Sequence, residues 1–384
     1  MRTRVGAVFF LLLLAFALAG AQQQPPGQIR PRPAEGRDPE VAPPNIREYK
    51  PRSTLVVPQH PVPRAKFPVV DIHGHPPPLT SEAAIAQVVA AMDPINVQVM
   101  VNASGATGDR LLQQLAAIRA SKYRDRFVMF TNINFRDVGP GFGEKTAALL
   151  EADIKAGALG LGEIMKGFGL TARKTDGSRL KLDDPELDPI WQTAARLNIP
   201  VFIHTADPAE FFQPMDFKNE RWLEMALYPD RRYFDRTRFP SFEDLMGERD
   251  RLIARHPKTT FVLAHLGWHA NDLGRLAAMM DRMPNIHAEV GAVLYDIGRQ
   301  PRTAHEFFIK YQDRLLFGKD SFQPDEYPYY WRVFETNDEY FDYYRDYHAF
   351  WKLYGIGLPD DVLRKVYSAN AVKLIPRLPK GSLQ

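Results

Sequence analysis

Eight short apolar runs, each separated from the next by a longer stretch with helical features, set the tightest limit on how this chain can fold. They fall at Val69–Ile72, Val97–Asn102, Phe127–Asn132, Ala158–Ile164, Ile199–Thr205, Thr259–Leu266, Asn285–Val290 and Leu315–Asp320. Runs this short and this rich in β-branched residues read as strands buried on both faces. Helices are legible between them. Ile85, Val88, Val89 and Met92 sit at i, i+3, i+4 and i+7 behind a Thr80-Ser81 cap, Pro185 opens another helix, and Ser241 behind Pro240 caps a third. Strand and helix alternating over about 250 residues predict a (β/α)8 TIM barrel. An open doubly wound sheet gives the same alternation. The strand count, the lack of a G-x-G-x-x-G turn and the position of the polar residues favour the barrel. An aromatic- and arginine-rich insertion follows the fifth strand (Phe211, Phe212, Trp222, Arg231, Arg232, Tyr233, Phe234), and C-terminal helices follow the eighth.

The residues before the barrel have a different character. Arg2 and Arg4, the apolar stretch Val5–Leu18 and the small residues Ala19-Gly20-Ala21 predict a signal peptide over 1–21, cleaved after Ala21. That stretch is too short to span a bilayer comfortably. The expectation is an exported, periplasmic or extracellular protein with no membrane partner in its mature form. Residues 22–66 read as a Pro-rich arm or linker, since 12 of the 32 prolines lie between Gln22 and Pro68. The barrel is expected over 67–384. With 49 basic against 46 acidic residues the formal charge is only +3, which argues against a nucleic-acid partner. The chain has no cysteine, so thiolate metal sites, cysteine nucleophiles and disulfides are excluded.

Any metal must therefore be held by imidazole and carboxylate. In Asp71-Ile72-His73-Gly74-His75, residues two apart in a strand share a face, so His73 and His75 can share an ion. Ten histidines in 384 residues give about 0.26 such pairs by chance, so the motif needs support from elsewhere. Other strand ends supply it: His204 closes the fifth run, His265 the sixth and Asp320 the eighth. In a barrel all five gather at the rim where such enzymes place their chemistry. This donor set suits Zn²⁺, Mn²⁺, Co²⁺ or Ni²⁺, and a water at an open position would have its pKa lowered toward ~7.

These residues, with Ser368-Ala369-Asn370-Ala371-Val372-Lys373-Leu374 near the end of the chain, closely resemble the amidohydrolase superfamily, in particular its branch of aminocarboxymuconate-semialdehyde and resorcylate decarboxylases. The resemblance implies that His73, His75, His204 and Asp320 ligate one divalent metal, most simply Zn²⁺. It implies that His265 is the catalytic histidine, polarising a carbonyl or relaying a proton, and that Asp320 also takes a proton from water. At the end of the fourth run the superfamily's two-metal members carry a carboxylated lysine or a glutamate. Here Glu163 and Lys166 stand in that region with opposite strand parity, so one of them is expected to face the interior. Glu163 is then an extra ligand or substrate-binding residue, or the partner of an arginine, and Lys166 a substrate contact. His269 either reaches the pocket or caps the next helix, with the cap favoured.

The expected function is hydrolysis of an amide, lactone or ester on a small-molecule substrate. Non-oxidative decarboxylation of an aromatic or unsaturated acid is the alternative, and a catalytically silent binding barrel a further one. The aromatic-rich segments also have the composition of oligomer contacts, which leaves a homo-oligomer open.

Overall fold

The computed structural model describes residues 41–380 and Leu383, so the expected signal peptide and the start of the Pro-rich arm lie outside the described residues. The chain divides into two compact units, Met1–Val56 and Val57–Gln384. In the first, the Asn45 side chain accepts from the backbone N–H groups of Arg47 (2.9 Å) and Glu48 (3.2 Å), an Asx turn on an otherwise exposed strand of chain. The second unit starts earlier than position 67. Its leading residues are tied down, with His60 N donating to Asp338 Oδ2 at 2.7 Å and Ala65 buried.

Each predicted run contains a strand, all paired in parallel: β1 Val69–His75, β2 Val97–Asn102, β3 Phe127–Met129, β4 Leu161–Ile164, β5 Val201–Ile203, β6 Phe261–Leu263, β7 Ile286–Glu289, β8 Leu315–Leu316 and, directly after it, β9 Asp320–Ser321. They form two arcs, β3-β2-β1-β9 and β4-β5-β6-β7-β8. Backbone contacts join the arcs at both seams. Thr131 and Leu161 form a parallel bridge between the third and fourth positions, and Ile72 N donates to Phe317 O at 3.1 Å between the eighth and the first. The result is a (β/α)8 barrel.

Two apolar clusters build it. Val70, Ile72, Val99, Val101, Val128, Phe202, Val262 and Leu316 come from six strands and fill the ring, where Ala371, Ile375 and Leu378 join them. Their neighbours Val69, Val97, Phe127, Val201 and Phe261 pack with the helices in the second cluster. This period-two division is what parallel strands covered on both faces require. Ser81 caps helix Glu82–Met92, and Ser241 with Asp244 forms a capping box on helix Phe242–Arg255. The closing helix Asn370–Leu374 is fixed by Asn370 Nδ2, which donates to Leu315 O at 2.8 Å. Among the described residues no helix is long and apolar enough to cross a membrane.

Candidate active site

The strand ends carry the polar residues inward. Glu163 lies at the centre of the group. Its Oε2 stands 3.1 Å from His73 Nε2 and 3.0 Å from His75 Nε2, while its Oε1 stands 2.5 Å from His204 Nδ1 and 3.9 Å from His265 Nε2. Asp320 Oδ1 approaches His73 Nε2 at 3.9 Å and His75 Nε2 at 3.7 Å, with its side chain 37% exposed. Donor atoms within 4.8 Å of one another fall into the sets His73–His75–Glu163, Glu163–His204–His265 and His73–His265–Glu289. The expected quartet of His73, His75, His204 and Asp320 is not among them. His204 meets the β1 histidines through Glu163, because each oxygen of that one carboxylate faces a different half of the site. Glu163 is buried among imidazoles and, among the described residues, pairs with no arginine; its backbone carbonyl accepts from Asn132 Nδ2 at 2.5 Å.

The sequence reading missed Glu289, at the end of β7. Its Oε2 accepts from His73 Nδ1 at 3.0 Å and from His265 N at 3.1 Å, and its other oxygen accepts from Gly291 N. It thereby fixes the tautomer and tilt of the His73 ring. Asp71, which opens the same motif, accepts from the backbone of His73 (2.9 Å) and Lys319 (3.2 Å) and from Tyr327 Oη (2.6 Å). Asp207, also missed, lies just past β5. It accepts from Lys166 Nζ at 2.6 Å and Tyr233 Oη at 3.0 Å, with Oδ1 3.8 Å from His204 Nε2. An acidic residue three positions after a strand-end histidine was the available signal.

Lys166 and Glu163 both reach the rim, contrary to the parity expectation, because β4 stops at Ile164 and strict alternation stops with it. His269 does not cap the next helix, and its ring turns to an arginine. Its Nε2 stands 3.1 Å from Arg249 Nη2, and Asp272 is the cap of helix Leu273–Arg282. The arginines of the β5–β6 insertion are spent internally: Arg221 lies 4.2 Å from the centre of the Tyr295 ring and 2.9 Å from Glu224, and Arg231 also pairs with Glu224.

Electrostatics separate the histidines. Burial opposes a charge on His73, but Glu163 and Glu289 outweigh it and raise its pKa well above the imidazole range. Burial opposes a charge on His204 too, yet the carboxylates of Asp207 and Glu163 lift it to about 9. His265 goes the other way: burial, then the neighbouring His204 and His73, depress it to about 4. Its Nδ1 donates to Gly291 O at 2.8 Å, so the neutral ring presents the Nε2 lone pair inward.

Backbone strain gathers at the same rim. His265, Leu266, Gly267 and Trp268 are four consecutive left-handed residues, with φ of 57°, 52°, 61° and 55°. Ala206, Ala292 and Asp320 are left-handed as well. Non-glycine residues persist there only where their surroundings enforce it. Here Glu289 holds His265 N, and the buried Arg249 donates from Nη1 to Gly267 O at 2.8 Å.

The donors fit a divalent cation. His73 Nε2 is buried, has no hydrogen-bond partner and stands against a carboxylate oxygen. With Nδ1–H given to Glu289, that nitrogen bears a lone pair in the neutral ring. Two lone pairs 3.1 Å apart repel unless a proton or a cation lies between them. A parallel (β/α)8 ring with histidines and carboxylates at the carboxyl ends of its strands defines the class: a barrel enzyme whose buried His and Glu groups could hold a metal ion. A family model described as Amidohydrolase matches residues 60–377. The chain belongs to that family.

No curated protein matches the chain. Among solved structures, an uncharacterised TIM-barrel protein from Bordetella bronchiseptica is 16% identical, with 80% of this chain and 98% of that one aligned at a TM-score of 0.50. A 2,6-dihydroxybenzoate decarboxylase from Rhizobium is 16% identical over 80% and 98% of the two chains, with a TM-score of 0.47. A dihydroxybenzoic acid decarboxylase from Polaromonas sp. JS666, with bound manganese, is 14% identical over 80% and 96%, with a TM-score of 0.49.

Proposed function

We propose that the chain is a metal-dependent enzyme acting at a carbonyl or carboxyl carbon of a small molecule. The observation that carries this reading is the orphaned His73 Nε2 facing Glu163 among converging imidazoles. His73, His75, Glu163 and Asp320 would hold one cation. Glu163, His204 and His265 would hold a second, in place of the single ion expected from sequence. Zn²⁺ is the ion we put first, with Mn²⁺, Co²⁺ and Ni²⁺ suited to the same donors. When bound, such an ion supplies Lewis-acid polarisation of the substrate oxygen and water of lowered pKa.

Two reactions suit these donors: hydrolysis, and non-oxidative decarboxylation, several of the similar solved structures being decarboxylases by name. We put hydrolysis first on one residue: burial opposes it, but the charge of His73 holds Asp320 below the ordinary carboxylate range, so its carboxylate can take a proton from water. His73 and His204, whose pKa values the neighbouring carboxylates raise, are the acids that decarboxylation would draw on. Asp320, partly exposed beside His73 and His75, would take the proton of the attacking water and return it to the leaving group.

Elemental analysis after metal-replete purification counts the ions, near two per chain for a site shared through Glu163 and near one for the single-ion site. A panel of lactones, amides and hydroxybenzoates, scored for acid release against CO₂, tests the reaction. CO₂ from any of them places decarboxylation first, and less than about a tenth of a metal per chain defeats both.

A further inference from the structure

β5 ends at Ile203, and the residues that follow, His204-Thr205-Ala206-Asp207, set an acid three positions past the histidine. Ala206 adopts a φ of 65°, and the Asp207 carboxylate comes to lie back beside the ring of His204. The two nitrogens of that ring meet different groups. Nδ1 looks inward, 2.5 Å from Glu163 Oε1. Nε2 is buried, makes no hydrogen bond among the described residues and has Asp207 Oδ1 at 3.8 Å. Asp207 is itself buried.

The other oxygen of Asp207 is pinned. Lys166, just past β4, donates to Oδ2 from Nζ at 2.6 Å, and Tyr233 of the β5–β6 insertion donates to it from Oη at 3.0 Å. Tyr233 is fixed in its turn: it is buried, its N–H donates to Phe211 O at 2.8 Å, and its ring centre lies 5.2 Å from those of Phe212 and Phe239. A lysine ammonium has donors and no acceptor, so the atom in the Oδ2 place must accept. Oδ1 is thereby left for His204. A carboxylate oxygen only accepts, so it favours the tautomer that carries its hydrogen on Nε2 and leaves the Nδ1 lone pair facing inward.

We propose that Asp207 is a positioning residue for His204: it holds the imidazole in the tautomer that presents Nδ1 to a cation, and Lys166 and Tyr233 hold Asp207 in turn. One phenol thus ties the insertion after β5 to the histidine cluster. The cation rests on the functional reading above. Asparagine is the informative replacement, because an amide in place of the carboxylate of an Asp–His pair keeps the geometry and imposes the wrong tautomer. Here Lys166 compels that outcome. The amide oxygen must take the Oδ2 place, its NH₂ then faces His204 Nε2, and the ring is left with its hydrogen on Nδ1.

Co²⁺ alone is the probe, titrated into the chelator-treated full chain and followed by its visible absorption and by metal per chain. His204→Ala identifies the binding step and the band that belong to the Glu163–His204–His265 side. Asp207→Asn is expected to weaken that step about 10–100-fold and to leave the His73–His75 step within about threefold of wild type. Adding Lys166→Met to Asp207→Asn is expected to regain at least about tenfold, because the amide can then turn its oxygen to Nε2 and its NH₂ to the Tyr233 hydroxyl. The Lys166 side chain is 33% exposed, so its replacement does not threaten the fold. An acid that merely anchored the insertion would weaken both steps or neither, and a change at position 166 would not rescue it. An unchanged step in Asp207→Asn, or a weakened one without rescue, overturns the proposal alone. If His204→Ala removes no step, the two-ion reading fails and the proposal falls with it.

Discussion

Replacing Glu289 by glutamine tests the architecture of the site at one atom. In the native protein three N–H groups converge on this carboxylate: His73 Nδ1 at 3.0 Å, His265 N at 3.1 Å and Gly291 N. A glutamine has one oxygen left to accept. Turned toward His73 and His265, it sets its NH₂ against Gly291 N–H; turned the other way, it orphans the first two donors. Either outcome leaves at least one buried donor unsatisfied, at a cost of about 1–3 kcal/mol. The loss of charge behind His73 also weakens its Nε2 as a ligand. Substitution of such a supporting group typically lowers metal affinity about 10–100-fold, equivalent to about 1.4–2.8 kcal/mol. Competition against a chromophoric chelator gives the metal Kd, and urea unfolding of the metal-free protein isolates the packing cost. If Glu289→Gln holds metal within about twofold of wild type while His73→Ala loses it, the carboxylate does not act through His73 and the reasoning fails.

His73→Ala should lose the ion on the His73–His75 side together with turnover, whereas His265→Ala should keep that ion and lower kcat by about 10²–10⁴, read from metal per chain beside initial rates. Asp207 is held at about 2, since His204 and Lys166 outweigh its burial. A depressed carboxyl contributes stability above its unfolded value of about 4 and loses it as pH falls through its folded value. Urea midpoints of wild type should therefore fall toward those of Asp207→Asn between about pH 4 and pH 2, and parallel profiles would refute the assignment. A Cβ on Gly318 would lie 2.6 Å from both His73 Cβ and Glu289 Oε1, so Gly318→Ala should cost about 1–3 kcal/mol of thermal stability and weaken metal retention. Gly247→Ala, on helix Phe242–Arg255 with only the Arg251 guanidinium at 3.3 Å, should instead be neutral or gain about 0.5–1 kcal/mol.

What the sequence made legible was local. Apolar runs placed every strand, and strand-end histidines followed from reading where each run stops. The runs overshoot the ladders: β5 is Val201–Ile203 and β6 is Phe261–Leu263, because regular pairing ends where the backbone turns left-handed at Ala206 and His265. That conformation has no signature in a run of ordinary residues. Glu289 escaped notice because it closes a strand read only for its apolar content, and its partner His73 is 216 residues away. Nothing short of the ring itself brings them together. Glu163 was visible as a candidate, but its place between the two halves depends on which oxygen faces which histidine. His269 shows the converse: a polar residue close to the site in sequence whose nitrogen is committed to Arg249, on a helix the reading had not connected to it.

The left-handed turn His265–Trp268 has a consequence for how this barrel can diverge. It is held from two sides, by Arg249 on one helix and Glu289 on β7, and neither support touches the other. A chain that loses one support keeps three strained non-glycine residues with half their restraint, so the second substitution meets a different molecule from the first. Mutational histories through positions 249, 265 and 289 should therefore depend on order, with the double variant departing from the sum of the singles. The turn that aims His265 is inherited as a unit, and a descendant that abandons it must rebuild the rim around another histidine.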